Sequence, residues 1–305
     1  MEEVGRLRTI ALIGQGGAGK TQLAEAALYT AGAITRLGRP DDGTATMDFE
    51  PEELSRHVSI SSGFHHLDWK RHTVILADTP GYSPFLVDTI MTLHAVDAVV
   101  IAVSPGADMK VEAEKVFEAA QQRGLPAIAF VSRLDRENTS LDNALADLRA
   151  IGANPVALAL PIGTENNLSG VIDLLNLREL RYSDTSGKAR EEELSGDLLA
   201  QATEARTRLC EAVAETDDGL LEKYLEEAQL DNDELRGALR NAVIARKLTP
   251  VLCGSAARNI GVGPLLDAII ELLPSPPRAR RARDTILIPA RTSNVPPTPR
   301  HHSRR

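Results

Sequence analysis

Cysteine is scarce. Cys210 and Cys253 are the only two among 305 residues. They lie far apart and without metal-ligand spacing, so a thiolate metal site is not expected and both thiols are expected to pack in the interior. Long apolar runs are missing as well. None approaches the roughly 18 residues that a bilayer-spanning helix needs, so no membrane segment is expected. The opening residues, Met1-Glu2-Glu3-Val4, are acidic and lack the basic-then-apolar order of a signal peptide. A reducing cytoplasm is the expected location. Basic charge is short everywhere except at one end. Residues 278–305 hold eight arginines and one acid, Asp284, for a net of +7. That leaves 26 bases against 42 acids, a net of −16, in the remainder. Such a body excludes nucleic-acid binding through bulk charge. What is present is ordinary: 43% hydrophobic and 25% charged residues, enough chain for one large domain or two smaller ones.

The chain is organised around residues 14–21, Gly14-Gln15-Gly16-Gly17-Ala18-Gly19-Lys20-Thr21. An apolar run, Thr9 to Ile13, precedes it and reads as a buried strand. A helical stretch, Gln22 to Tyr29, follows. The spacing Gly-x-x-x-x-Gly-Lys-Thr in that setting is a phosphate loop. Glycines let consecutive N–H groups converge on one anion, and the helix N-terminus adds its positive end. Lys20 can reach the outer phosphates, and the Thr21 hydroxyl can ligate Mg2+. A nucleoside triphosphate is the expected ligand.

Residues 33–57 are polar, aperiodic and read as a long loop. Val58 to Ser62 and Phe64 to Trp69, followed by Thr73 to Ala77, read as antiparallel strands feeding a central one. That strand ends in Asp78-Thr79-Pro80-Gly81. An acid there can support a metal through water, and Gly81 can offer its N–H to a terminal phosphate. Residues 84–94 and 111–122 read as helices, and 98–103 and 127–131 as buried strands. The alternation predicts an α/β fold: a mostly parallel sheet, helices on both faces, ligands at the carboxyl ends of the strands.

The next strand tip, Ser132-Arg133-Leu134-Asp135, carries a carboxylate that can accept from N1–H and the 2-amino group of guanine. Adenine lacks both donors. Arg133 can lie over the base. A later tip, residues 250–257, includes Ser255 and Ala256, whose backbone N–H groups can meet guanine O6. Between these tips, residues 155–160 read as one strand and 171–175 as a short strand or turn. Helices follow near 194–213, 220–225 and 235–243. Their flanking acidic runs read as solvated faces and first helical turns, a docking surface for a basic partner being the sharper alternative. A last helix, 262–273, ends at Pro274-Ser275-Pro276-Pro277. The Pro/Arg-rich stretch beyond it reads as disordered, with RNA binding through phosphates as a further reading.

At this point the residues resemble a family, the GTP-binding domain of bacterial translation elongation factor G. The likeness runs from about residue 7 to 277. It is carried by residues 14–21, Thr46-Met47-Asp48, Asp78-Thr79-Pro80-Gly81, Leu134-Asp135-Arg136-Glu137-Asn138, Leu160-Pro161-Ile162-Gly163, Lys223-Tyr224-Leu225 and Cys253-Gly254-Ser255-Ala256. The resemblance implies a P-loop NTPase fold over residues 1–277, with an α-rich insert at about 160–248 and a separate tail, 278–305. It implies GTP and GDP as ligands, Mg2+, hydrolysis, and the ribosome as partner.

The family's site residues fall on Gly14 to Thr21 for the phosphates and on Thr21, Ser59 and Asp78 for the metal. Gly81 and Lys20 meet the terminal phosphate, and Ser132, Arg133, Asp135, Ser255 and Ala256 surround guanine. Three positions depart from the family pattern. Tyr82 stands where a water-positioning histidine is usual, and a phenol donates a hydrogen bond without becoming a cation near neutral pH. The first switch reads Arg56-His57-Val58-Ser59-Ile60, with Ser59 keeping the hydroxyl. Ser132-Arg133 replaces the usual Asn-Lys. Slow hydrolysis in a divergent paralogue is the expectation, with a GTP switch of little turnover as the alternative. The family also continues into a β-barrel and three further domains. A fragment, a degraded gene and a shifted reading frame are the readings of that difference.

Overall fold

The computed structural model describes residues 2–105, 111–227 and 230–276. A short helix α1 (Glu2–Gly5) leads into β1 (Leu7–Ile13), the phosphate loop and α2 (Lys20–Thr30). Helix α3 (Pro51–Arg56), the hairpin β2 (Gly63–Trp69) and β3 (His72–Asp78), and α4 (Leu86–Thr92) come next. Then β4 (Ala98–Val103), α5 (Val111–Gln122), β5 (Ala127–Val131), α6 (Leu141–Ala150) and β6 (Pro155–Ala157) alternate. Strands β7 (Ala159–Ile162), β8 (Gly170–Asp173), β9 (Arg178–Arg181) and β10 (Arg190–Glu193) precede helices α7 (Gly196–Ala214), α8 (Asp218–Glu227) and α9 (Asn232–Ile244). Strand β11 (Thr249–Cys253) and helix α10 (Val262–Leu272) close the described chain.

The main sheet has the order β2-β3-β1-β4-β5-β11-β6. Its pairings are parallel except the β2–β3 hairpin. Parallel strands must be covered on both faces, and the side-chain alternation shows that they are. Ile10 and Leu12 of β1, Val100 of β4 and Phe130 of β5 point into one core with Leu23 of α2 and Leu265, Leu266 and Ile269 of α10. Ala11 and Ile13, Ile101 and Val131 point into the opposite core with Val116 and Phe117 of α5 and Leu148 of α6. Phe130 is fully buried; truncating such a ring to Ala costs about 3–5 kcal/mol. The edge strand β2 shows alternating burial, as a strand with one wet face should.

Several expectations are refined. Residues 58–62 form no strand: the N–H groups of Ile60 and Ser61 go to the Glu53 carboxylate instead of to a neighbouring strand. The loop at 33–57 contains a 3-10 turn, Pro40–Asp42, and α3, which a Glu50/Glu53 capping box starts. The stretch 155–160 splits. Residues 155–157 join the main sheet beside β11, and 159–162 open a second, antiparallel sheet, β10-β9-β8-β7. The segment near 160–248 therefore begins as a sheet, with one 3-10 turn at Glu165–Asn167, and its α-helices start only at Gly196. Helix α6 stands between β5 and β6, where the sequence pattern predicts no element, and Ser140 caps it by accepting from Asn143 N–H at 3.3 Å. The arginine-rich stretch 278–305, read above as disordered or RNA-binding, lies outside the described residues.

Candidate functional site

Four loops meet at the carboxyl ends of β1, β3, β5 and β11. The first is the phosphate loop. Gly14, Gly17 and Gly19 all take positive φ, 141°, 75° and 92°, which glycine adopts without strain. At Gly14 a side chain is impossible for a second reason: a Cβ would sit 2.6 Å from Ala102 O on β4. Gly19 then stands at the start of α2, whose first N–H groups receive no side-chain cap and remain available to an anion. The Lys20 ammonium is buried and folds back onto the loop, donating to Gly14 O and Gln15 O at 3.0 Å each. Burial lowers its pKa to about 8, against the opposing pull of Asp78.

Beside Lys20 lies a knot of oxygens. Thr21 Oγ1 is 3.1 Å from Ser59 Oγ, and Ser59 donates to Asp48 Oδ1 at 3.0 Å. Asp78, at the tip of β3, is 2% exposed, and its Oδ1 has no hydrogen-bond partner. Burial pushes its carboxyl up to about 7; Thr21 and Lys20 pull it back, while Asp48 and Glu25 push it further. A buried carboxylate oxygen without a partner is costly, and here the Thr21 side chain, which also meets Ser59, interacts with the same carboxyl. Two hydroxyls and a carboxylate are the oxygen donors a hard divalent cation takes, and such an ion completes its shell with water and phosphate. The residues present therefore fit Mg2+. Among the described residues no three His, Cys, Asp or Glu side chains converge on a metal position.

Residues 79–82 press onto the phosphate loop. A Cβ on Gly81 would lie 2.6 Å from Gln15 C and Gly16 N and would also collide with the Lys20 ammonium. Thr79 Oγ1 donates to Leu12 O at 2.6 Å, and Thr89 Oγ1 to Pro80 O at 2.7 Å, so this tip is pinned from both sides. The Tyr82 ring lies over Gly16, where a Cβ would meet its Cζ at 2.6 Å. Its outer edge is exposed.

The far end of the pocket is built by the tips of β5 and β11. Leu134 N–H donates to Gly254 O at 3.2 Å, and Ala256 N–H to Ser132 Oγ at 3.3 Å. Asp135 presents a buried Oδ1 with no partner. Arg133 holds a left-handed backbone, φ 62°, and its guanidinium lies against Gly19. Burial lowers the pKa of that guanidinium, with Arg136 adding to the effect.

One pocket joins these parts. Gly16, Gly17, Gly19, Lys20 and Thr21 form one wall, with Ser59, Gly81 and Tyr82 above, and Ser132, Arg133 and Asp135 beyond. Gly14, Gln15, Ala18, Asp78, Ser255 and Ala256 stand behind the lining, and Ala257 is the residue of the β11 tip that reaches it. Sequence reasoning missed Pro40, Asp41, His57 and Arg136 in the lining. The turn cluster at Pro40-Asp41 was a visible signal, as were the first-switch stretch that holds His57 and the Leu134–Asn138 marker that holds Arg136; His57 takes a left-handed backbone and is bonded through Nδ1 to Pro40 O at 3.0 Å.

A glycine-lined anion cradle at the end of a parallel sheet, with a hydroxyl–carboxylate knot on one side and an acid-tipped base pocket on the other, defines a P-loop nucleotide-binding domain. Within that class the chain belongs to the family described as Elongation factor Tu GTP binding domain, whose model matches residues 5–275. Guanine nucleotide is accordingly its ligand. The chain is also similar to a protein of solved structure from Thermus thermophilus, with 37% identity and a TM-score of 0.82. The match covers 89% of this chain and 41% of that one, so the chain spans about two fifths of that protein's length. Among the described residues no helix is long and apolar enough to cross a membrane.

Proposed function

We propose that this chain is the GTP-binding unit of an elongation factor G-type protein, that it binds Mg·GTP and hydrolyses it slowly, and that it works at the ribosome. One observation carries the nucleotide part: two carboxylate oxygens here are buried and unpartnered, Asp78 Oδ1 behind the pocket lining and Asp135 Oδ1 of a lining residue. The first would be satisfied by a bound magnesium ion and the second by the N–H groups of guanine. Residues 1–277 make one unit, with an insert at about 160–248 that follows the elongation factor G pattern, and 278–305 is a separate tail.

In the mechanism, Gly14 to Thr21 hold the phosphates with main-chain N–H groups. Lys20 leaves the carbonyls of Gly14 and Gln15 for the outer phosphate oxygens, exchanging neutral acceptors for charged ones. Thr21, Ser59 and Asp78 would hold the ion, which when bound would supply charge stabilisation to the phosphoryl group. Gly81 offers its N–H to the terminal phosphate, and the Tyr82 phenol orients the attacking water by donating a hydrogen bond. Catalysis of this kind is positioning and electrostatics with little covalent chemistry from the protein.

Calorimetry with GTP, GDP and ATP, each with and without Mg2+, tests the ligand; equal affinity for ATP overturns the guanine assignment. Phosphate release with and without ribosomes tests the rest. The position of Tyr82 over Gly16 favours a second reading, a GTP-driven switch with little turnover. Strong ribosome-stimulated release eliminates it.

A further inference from the structure

The stretch between the phosphate loop and β2 is tied together by one side chain. Glu53 of α3 is 0% exposed. Its Oε2 accepts from the N–H groups of Phe49 and Glu50, each at 3.0 Å. Its Oε1 accepts from those of Ile60 at 2.8 Å and Ser61 at 3.0 Å. A capping box explains the bond to Glu50. The bonds to Ile60 and Ser61 lie beyond the C-terminus of α3 and have no part in starting a helix. Burial pushes this carboxyl up, but four main-chain donors outweigh it, led by Glu50, and hold it below the usual carboxylate range. Glu53 is therefore ionised at neutral pH, and charge-assisted bonds of this kind are stronger than neutral ones.

What the carboxylate brackets matters more than the bracket. Immediately before Ile60 stands Ser59, whose hydroxyl meets Thr21 and Asp48. Immediately after Ser61 stands Ser62, whose N–H donates to Asp88 of α4 at 2.7 Å. The clasp thus sits between the oxygen knot and the helix that follows Gly81 and Tyr82. We propose that Glu53 is a positioning residue: it staples the main chain at 49–50 to that at 60–61 and so holds Ser59 against Thr21, set for the metal of a bound triphosphate. This rests on the reading of Thr21 and Ser59 as metal-facing hydroxyls. Without the carboxylate, four main-chain donors lose their acceptors, and the stretch must open to water to satisfy them.

Two readouts on the full chain test the proposal. Arg56 is exposed and lies inside the stapled stretch, so trypsin cleavage after Arg56, followed by mass spectrometry, reports the staple with no nucleotide present. In Glu53→Gln an amide N–H2 replaces one of the two acceptor oxygens. Cleavage should accelerate at least tenfold while the melting temperature falls by only a few degrees. The second readout is nucleotide affinity in the presence of Mg2+. A non-hydrolysable GTP analogue should weaken at least tenfold and GDP less than threefold, because only the triphosphate gives the Ser59 arm a terminal phosphate to close on. Glu53→Asp, which keeps the charge but falls one methylene short, should lie between the two, and it replaces Glu53→Gln if that variant does not fold. Unchanged cleavage after Arg56 overturns the proposal. So does equal weakening of the analogue and GDP, which would mark a general loss of structure. If the unaltered protein binds neither nucleotide, the metal-site reading falls, and the cleavage rates alone decide whether the staple exists.

Discussion

Replacing Asp135 by Asn should convert a guanine site into one that prefers xanthine. The buried Oδ1 of Asp135 has no protein partner, so no hydrogen bond of the fold is lost with it. The loop that carries it is anchored elsewhere: Leu134 N–H to Gly254 O at 3.2 Å, and Glu165 N–H to Leu134 O at 3.0 Å. Melting should therefore shift by no more than a few degrees. In the complex the carboxylate accepts two N–H groups of guanine, and each hydrogen bond to a charged group is worth about 1.5–3 kcal/mol. The amide keeps one acceptor oxygen and turns its N–H2 toward the other guanine donor, so at least one of these bonds is lost, at about 1.5–3 kcal/mol, or roughly tenfold to a hundredfold in affinity at 1.4 kcal/mol per tenfold. Xanthine carries a carbonyl where guanine carries its amine, so the Asn N–H2 gains an acceptor. Calorimetric titration of both proteins with GTP and xanthosine triphosphate measures the exchange. A GTP Kd within threefold of the original, or no gain for the xanthine nucleotide, would falsify the role given to Asp135.

Three further outcomes are expected. Gly16→Ala should weaken nucleotide binding, because the new Cβ meets the Tyr82 ring at 2.6 Å; Tyr82→Ala in the same chain should restore much of the loss, and simple additivity of the two changes would show that they do not touch. Gly81→Ala should cost more and resist rescue by Tyr82→Ala, since its Cβ meets main chain of the phosphate loop at 2.6 Å; a melting temperature and Mg·GTP affinity like those of the unaltered protein would contradict that packing. The third concerns pH. Folded Asp78 keeps its proton up to about pH 7, whereas the unfolded chain releases it near the ordinary 3.8. The protonated carboxyl thus adds stability that is complete below the unfolded value and is lost as pH rises through about 7. A cation takes the ionised form, so Mg·GTP affinity should climb by up to about tenfold per pH unit between roughly pH 5.5 and 7, then level off; a flat profile over that range refutes the assignment.

Much of the fold was legible because parallel strands buried on both faces announce themselves as unbroken aliphatic runs. Ala98–Val103 and Ala127–Val131 were read at the bounds observed. The strand tips were legible for the same reason: Asp78, Ser132 and Asp135 each stand just past such a run. Strands β9 and β10 were not. Their sequences, Arg-Glu-Leu-Arg and Arg-Glu-Glu-Glu, hold a single apolar residue between them, Leu180, and they pair only because β8 offers an edge. The stretch 58–62 misled in the opposite way. Its alternation looks like a strand, yet its donors are captured by a carboxylate that the sequence places several residues earlier. Long-range side-chain capture of main chain leaves no periodic trace. The same holds for Pro40, Asp41 and His57, which reach the pocket only because that loop folds over it.

The order β5-β11-β6 has a consequence for how the molecule comes into being. Strand β11, the last among the described residues, slots between two that were made long before it, parallel to both. A growing polypeptide owns its anion cradle early, yet the tip that supports Ser132 and Leu134 arrives only with residues 254–257. Until then β5 and β6 have no strand between them, and the purine end of the cleft has no back. Ligand capture during synthesis would therefore act as a late checkpoint: the nucleotide stabilises only chains that have threaded β11 into place.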